Sequence, residues 1–342
     1  MIKYSIIIPT RNRAKNLKKC LEHITQLNPP LYEYETLIID NGSTDETKLF
    51  TTYFESIIPN IQYIYESTPG LLAARNRGLK EAKGSILCYI DDDSFVDIHW
   101  LVGIENAFQD STVVLAGGAN LPYFEAHPPR WLKYFWLDCE FGKHLWELSL
   151  LDLGNRKKQI SPNFVFGCNF IIKKETLLAC KGFHPDCLPE YLALYYGDGE
   201  TSVAAQLNSQ GISALYSPEI KIRHLVEKSR MTEEYFVKRY RNEGYTRSFI
   251  QIRKDNNLYD KISYNFIRKS PPKTIIGLII SKRFNILKKV LIKLDQGYKE
   301  YMKIKTRCEL RCQESYRVHQ KKAKKDKDFL NYILKDNYLD GE

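Results

Sequence analysis

The chain has 342 residues, 43% of them hydrophobic and 13% aromatic, enough to bury a substantial core in one large domain with an appendage or in two domains. Its formal net charge of +10 is unevenly placed: residues 221–342 hold 31 Lys and Arg against 15 Asp and Glu, and residues 1–220 carry a net −6. An acidic body with a basic tail argues against a general nucleic-acid binder and for a catalytic body whose tail meets something anionic. Met1 leads straight into Ile2–Ile8, which Pro9, Thr10 and Arg11 cut off before a secretory signal could form. The longest apolar run, Ile275–Ile280, is stopped by Lys282 and Arg283, well short of a membrane span. The eight cysteines form no Cys-x-x-Cys pair, so free thiols in a reducing cytosol are expected.

In chain order, the Ile-rich residues 2–8 read as a buried parallel strand ended by Pro9. Ala14, Leu17, Leu21, Ile24 and Leu27 then mark one face of a helix, stopped by Asn28-Pro29-Pro30. Residues 34–39 form a second strand with Asp40 at its end. Ser43 with Glu46 has the spacing of a capping box opening the next helix. Residues 61–65 alternate as a third strand, and a helix runs from Leu71 to Lys83, terminated by Gly84. Residues 85–90 are an apolar strand that ends abruptly in Asp91, Asp92 and Asp93. Strands and helices alternating at this spacing predict a mostly parallel sheet with right-handed crossovers.

After the triplet, Trp100, Leu101, Ile104 and Phe108 have helical spacing, and Val113–Ala116 is a strand closing on Gly117-Gly118. Residues 121–160 are rich in aromatic side chains and proline, including Trp131, Trp136 and Trp146. They read as a binding loop or, equally well, as rings plugging a second subdomain. Residues 164–172 are a strand broken by Gly167. Asp198, Gly199 and Glu200 lead into a helix ended by Gly211. Short strands follow at 214–216 and 220–224, and residues 231–248 read as a helix. Cys308 and Cys312 sit at helical spacing as packing thiols. Residues 274–294 form a basic amphipathic segment suited to a membrane surface or to packing on the body, and Lys321–Lys327 is a solvated charge run.

Three adjacent carboxylates at a strand end read either as a solvated acidic turn before a helix or, because they repel one another unless a cation sits there, as a metal site; open α/β sheets bind ligands at the carboxyl ends of their strands. A divalent metal needs few protein ligands when substrate phosphates supply the rest. Asp93 and His224 are the candidate ligands. Glu200, at a helix N-terminus far along the chain, is the candidate general base.

Five segments taken together carry a resemblance: residues 5–13 (SIIIPTRNR), 38–45 (IIDNGSTD), 70–78 (GLLAARNRG), 89–93 (YIDDD) and 197–201 (GDGET). In this order the chain resembles a family-2 glycosyltransferase of the GT-A fold, over roughly residues 1–245. The resemblance implies a Rossmann-like α/β domain with a nucleotide-sugar-binding half (1–120), an acceptor-binding and catalytic half (121–248) and a basic helical extension (249–342). It also implies a nucleotide-diphosphate sugar donor, UDP-sugar favoured, and Mg²⁺ or Mn²⁺. Pro9, Thr10, Arg11, Arg13 and Asp40 would line the nucleotide pocket, Arg75 would approach the phosphates, and Asp91 with Asp92 would face the nucleotide while Asp93 binds metal. Glu200 stands where the family has an Asp, with Asp198 nearby as the alternative base. Trp131, Trp136, Gly167 and Asn169 would border a saccharide or lipid-linked acceptor. The implied reaction is inverting transfer from a cytoplasmic position, with the basic tail on an anionic membrane and no specific nucleic acid. A nucleotidyltransferase is disfavoured because the loop 9–13 lacks glycine, and a dehydrogenase because no Gly-x-Gly-x-x-Gly follows a strand. A non-catalytic scaffold would not need the full set of carboxylates.

Overall fold

The computed structural model describes residues 2–258 and 295–339. Strand β1 (Tyr4–Thr10) is buried at every residue. Ile6 and Ile8 point into one core and Ile7 into the other, which is why the sequence shows an unbroken apolar run instead of alternation. β1 lies parallel between β2 (Tyr34–Asp40) and β4 (Ile86–Ile90), with β3 (Ile61–Tyr65) outside β2. The crossovers are α1 (Ala14–Ile24), α2 (Thr47–Phe54) and α3 (Leu71–Glu81). The chain therefore winds outward from β1 to β3 and then returns to place β4 on the other side of β1. This reversal opens a crevice at the carboxyl ends of β1 and β4, where Thr10 and Asp91 stand. Beyond β4 come β12 (Asn169–Lys173), β6 (Leu115–Gly117), β13 (Ala214–Tyr216) and β11 (Lys158–Ile160). β12 is antiparallel to both neighbours, so the sheet is mixed though mostly parallel.

A second sheet is built from short strands in the order β5 (Ser94–Val96), β14 (Ile222–Val226), β7 (Asn120–Phe124), β10 (Leu150–Asp152), β9 (Gly142–Leu145) and β8 (Leu137–Cys139). Helices α4 (Trp100–Ala107), α5 (Lys174–Ala179) and α6 (Thr201–Ser209) complete the body. The Ser43–Glu46 capping box does not form. Ser43 Oγ instead accepts the Asn12 N–H at 2.9 Å. Asp45 takes over at both helices: its carboxylate accepts the Ala14 N–H at the start of α1 (2.9 Å) and the Thr47 N–H at the start of α2 (3.2 Å).

Helix α7 (Glu233–Asp255) runs unbroken through residue 249 and packs along α8 (Gln296–Lys325), which is followed by α9 (Lys327–Leu334). Gly244 permits the close approach: a Cβ there would lie 2.3 Å from the Cys312 carbonyl oxygen. Tyr301, Ile304, Cys308 and Cys312 of α8 share a core with Trp131, Phe135 and Phe236. The ring pairs Phe135–Phe236 and Phe135–Tyr301 are 4.6 and 4.8 Å apart. The run Lys321–Lys325 is thus the end of a docked helix, with Ala323 buried against Phe249 and Phe329, while the basic segment 274–294 lies outside the described residues.

Glu147 is buried behind this cluster. Its Oε1 accepts the Tyr240 hydroxyl at 3.0 Å and its Oε2 has no partner. Burial pushes its carboxyl up to about 7, against roughly 4.3 for a free Glu. The folded state therefore holds a proton that the unfolded chain releases, and stability falls as pH rises from about 4.3 to about 7. In urea unfolding, Glu147→Gln is expected to gain about 2 kcal/mol more over the parent at pH 8 than at pH 5. An equal difference at both pH values would contradict the neutral buried state.

Candidate active site at the end of the fourth strand

β4 delivers three carboxylates to the crevice, and each is held differently. Asp92 turns inward: its Oδ2 accepts the Thr10 hydroxyl at 2.8 Å and its Oδ1 faces Arg13 Nε at 3.1 Å. Burial, with Asp93 and Asp91 adding to it against Arg13 and Thr10, pushes its carboxyl up to about 7. Asp93 goes the other way. Burial alone would raise it, but His224, Arg13 and Arg230 outweigh that and hold it well below the usual carboxylate range. The contacts are His224 Nε2 at 3.1 Å, Arg13 Nη2 at 2.8 Å and Arg230 Nη1 at 3.2 Å. Asp91 remains partly exposed, paired with Arg75 Nη2 at 2.9 Å.

Sheet pairing brings His224 here. β14 runs antiparallel to β5 with His224 opposite Ser94, and the Leu225 N–H donates to the Asp93 carbonyl at 2.9 Å. His224 Nδ1 lies 3.0 Å from the Leu148 carbonyl, which can only accept, so Nδ1 carries the hydrogen and Nε2 faces Asp93. Ligand atoms of Asp91, Asp93 and His224 all lie within 4.8 Å of one another. An octahedral ion with bonds of about 2.1 Å spaces its ligands about 3 to 4.2 Å apart, so a small contraction closes the set. Two carboxylates and one imidazole suit Mg²⁺ or Mn²⁺.

Arg75 links this site to Glu200. Only 3% of its side chain is exposed, and while Nη2 holds Asp91, Nη1 lies 3.5 Å from Glu200 Oε2. Glu200 Oε1 accepts the Gly167 N–H at 3.1 Å. A Cβ at Gly167 would stand 2.5 Å from both Arg75 terminal nitrogens, so a larger residue there would displace the guanidinium. The break that Gly167 makes in the sequence pattern is this close approach; the strand itself starts at Asn169.

The remaining sequence candidates are placed as follows. Pro9 and Thr10 end β1 beside Ile39 and Asp40, and Arg11 is exposed at the loop that follows. Asp40 is buried, with its two oxygens accepting from the Ser43 N–H (2.8 Å) and the Tyr63 hydroxyl (2.7 Å). Asp198 is fully buried and bonded to His184 Nδ1 at 2.7 Å, whereas Glu200 keeps 27% of its side chain exposed. Asn169 is buried beneath the crevice, accepting from Trp100 Nε1 at 3.0 Å and donating to the Ile220 carbonyl at 2.9 Å. Trp131 is buried in the α7–α8 aromatic core, so neither it nor the separately buried Asn169 presents its side chain at the surface. Trp136 is half-buried beneath Lys143. Sequence reasoning missed Arg230 and Glu227. Glu227 accepts from Arg13 Nη2 at 3.2 Å and from Asn16 Nδ2 at 3.0 Å. The charged run just past His224 was the available signal.

A metal-suited carboxylate cluster thus lies at the switch point of a mixed α/β sheet, with His224 brought to it by a second sheet. Residues 5–178, just over half of the chain, match Glycosyl transferase family 2, and the chain belongs to that family. It is 36% identical over 115 residues to Glycosyltransferase AglE of Haloferax volcanii, covering 33% of this chain and 38% of AglE. It is 28% identical over 98 residues to the poly(ribitol-phosphate) beta-N-acetylglucosaminyltransferase TarS of Staphylococcus aureus, covering 28% of this chain and 17% of TarS. The chain thus spans well under half of either relative. The fold matches a mannosyltransferase, PcManGT from Pyrobaculum calidifontis, in complex with GDP-Man and Mn²⁺, with a TM-score of 0.58 at 16% identity over 92% of this chain and 86% of that one. It also matches GalNAc-T7 with UDP, GalNAc and Mn²⁺, with a TM-score of 0.50 at 16% identity over 75% and 51% of the two chains.

His224→Ala is expected to weaken Mn²⁺ binding, followed by electron paramagnetic resonance, by about 10- to 100-fold. Unchanged affinity would remove His224 from the ligand set.

Proposed function

We propose that the chain transfers a sugar from a nucleoside-diphosphate sugar, with UDP-sugars favoured, to an acceptor hydroxyl by a single inverting displacement. The observation that carries this reading is the pairing of a metal-suited triad with one partly exposed carboxylate, Glu200, joined through Arg75. Asp91, Asp93 and His224 would hold Mg²⁺ or Mn²⁺. When bound, the ion neutralises charge developing on the departing diphosphate. Arg13 and Arg230, already gathered around Asp93, face the same charge. The nucleoside lies over the ends of β1 and β2, beside Thr10, Arg11 and Asp40.

Glu200 takes the proton of the acceptor hydroxyl. The acceptor oxygen then bonds to the anomeric carbon as the bond from that carbon to the phosphate oxygen breaks, and the nucleoside diphosphate leaves with the electron pair. The assignment favours Glu200 over Asp198 because the Asp198 carboxylate is shut off from solvent and bonded to His184. The Gly167 N–H and Arg75 fix the orientation of Glu200. The acceptor is a growing glycan, a lipid-linked saccharide or a polysaccharide of the cell envelope. The setting we propose is the cytoplasmic face of a membrane, approached through the basic C-terminal region. No helix among the described residues is long and apolar enough to cross a membrane.

Glu200→Gln is expected to lower transfer at least about a hundredfold, while its dissociation constant for the donor stays close to that of the parent. Near-parent turnover would take the base role away from Glu200.

A further inference from the structure

Arg239, on the second turn of α7, is half-buried and accounts for nothing described so far. Its Nε is shielded from solvent and has no hydrogen-bond partner, and no carboxylate or carbonyl among the described residues holds its other nitrogens. Arg13, Arg75, Arg77 and Arg253 also have a shielded Nε, but each is tied to a carboxylate or a carbonyl. The shielded Nε is left unsatisfied while the terminal nitrogens open to solvent with their donors free, which disposes the guanidinium to take an anion.

Its neighbours say where that ligand sits. The guanidinium carbon is 5.8 Å from the centre of the half-buried Trp146 ring. The charge of Arg239 is felt by Arg230, which is bonded to Asp93 on the metal side. It is felt also by Asp186 and Cys187, beside the Glu200 loop, where a Cβ on Gly199 would stand 2.8 Å from Asp186 Oδ2. Arg239 thus overlooks the crevice between the metal triad and the base. The nearby acids are not bonded to it: Asp186 accepts the Cys187 N–H at 2.7 Å and Glu147 accepts the Tyr240 hydroxyl at 3.0 Å.

We propose that Arg239, walled by Trp146, is an anion site on the acceptor side, taking a phosphate or carboxylate group carried by the acceptor. This rests on the reading of the chain as a nucleotide-sugar transferase with Glu200 as base. The donor diphosphate is matched by the metal triad, Arg13 and Arg230, whereas Arg239 stands beside Trp146 and the Asp186 side of the Glu200 loop, the side assigned here to the acceptor. A planar guanidinium grips either anion through two parallel N–H bonds.

The test is a tryptophan-fluorescence titration of the whole protein saturated with UDP and Mg²⁺, using sulfate and acetate as probes at constant ionic strength. The expected result is saturable binding of at least one probe with UDP retained. That binding weakens about tenfold or more in Arg239→Gln, recovers in part in Arg239→Lys, and loses its signal in Trp146→Phe. The stronger probe distinguishes a phosphate-bearing from a carboxylate-bearing acceptor. No probe binding, equal binding by Arg239→Gln, or displacement of UDP by the probe would each overturn the proposal, the last by assigning Arg239 to the donor diphosphate. A separate titration of UDP with Mg²⁺ and no probe reads the donor assignment alone, so its failure is told apart from that of the acceptor site.

Discussion

Three carboxylates in a row at the mouth of a buried strand cannot all stay charged without cations. Two unit charges 4 Å apart repel by about 4 kcal/mol at an effective dielectric constant of 20. The protein meets this in three ways. Asp93 receives two guanidinium groups and an imidazole, Asp91 receives Arg75, and Asp92 turns inward to Thr10 and Arg13, where burial raises its carboxyl toward neutrality. Each of these partners comes from a different part of the chain: Arg13 from the loop after β1, Arg75 from α3, His224 from β14 and Arg230 from the turn beyond it. Folding the large sheet alone would leave Asp93 without His224 and Arg230, so the second sheet is part of the site.

The same dependence explains how much could be read from the chain. The strands of the parallel half are five to seven residues long, mostly apolar and separated by helices, and their expected positions agree with the structure to within about two residues. The second sheet is made of segments such as Ser94–Val96 and Leu150–Asp152, too short for periodicity to register. His224 was legible as a metal candidate, yet its partnership with Asp93 depends on the β5–β14 register, which is a tertiary fact. Glu200 and Asp198 look interchangeable as residues in a Gly-rich loop. Burial separates them, because His184 draws one inward and the Gly167 N–H keeps the other at the surface.

The C-terminal region misled in a different way. Its composition is strongly basic, and residues 321–327 resemble a solvated tail. The packing stripe of α8 is formed by Tyr301, Ile304, Cys308, Cys312, Ser315, His319 and Ala323, several of them small or polar and easily overlooked in a hydropathy pattern. These residues close against α7, whose glycine at 244 lets the two helices approach, and α7 in turn carries Arg239 toward the crevice. The aromatic residues near 131–135 do the same work from the other side and are core, while Trp146 keeps one face toward Arg239.

The central claim is that Asp91, Asp93 and His224 together hold a divalent ion that recruits the donor diphosphate. Calorimetric titration of UDP and GDP into the protein, with Mn²⁺ and with excess chelator, tests it most directly. Metal-dependent binding of at least one nucleotide, at least about tenfold tighter with Mn²⁺, is the predicted result. Equal affinity in the two conditions, or no binding in either, would contradict the account.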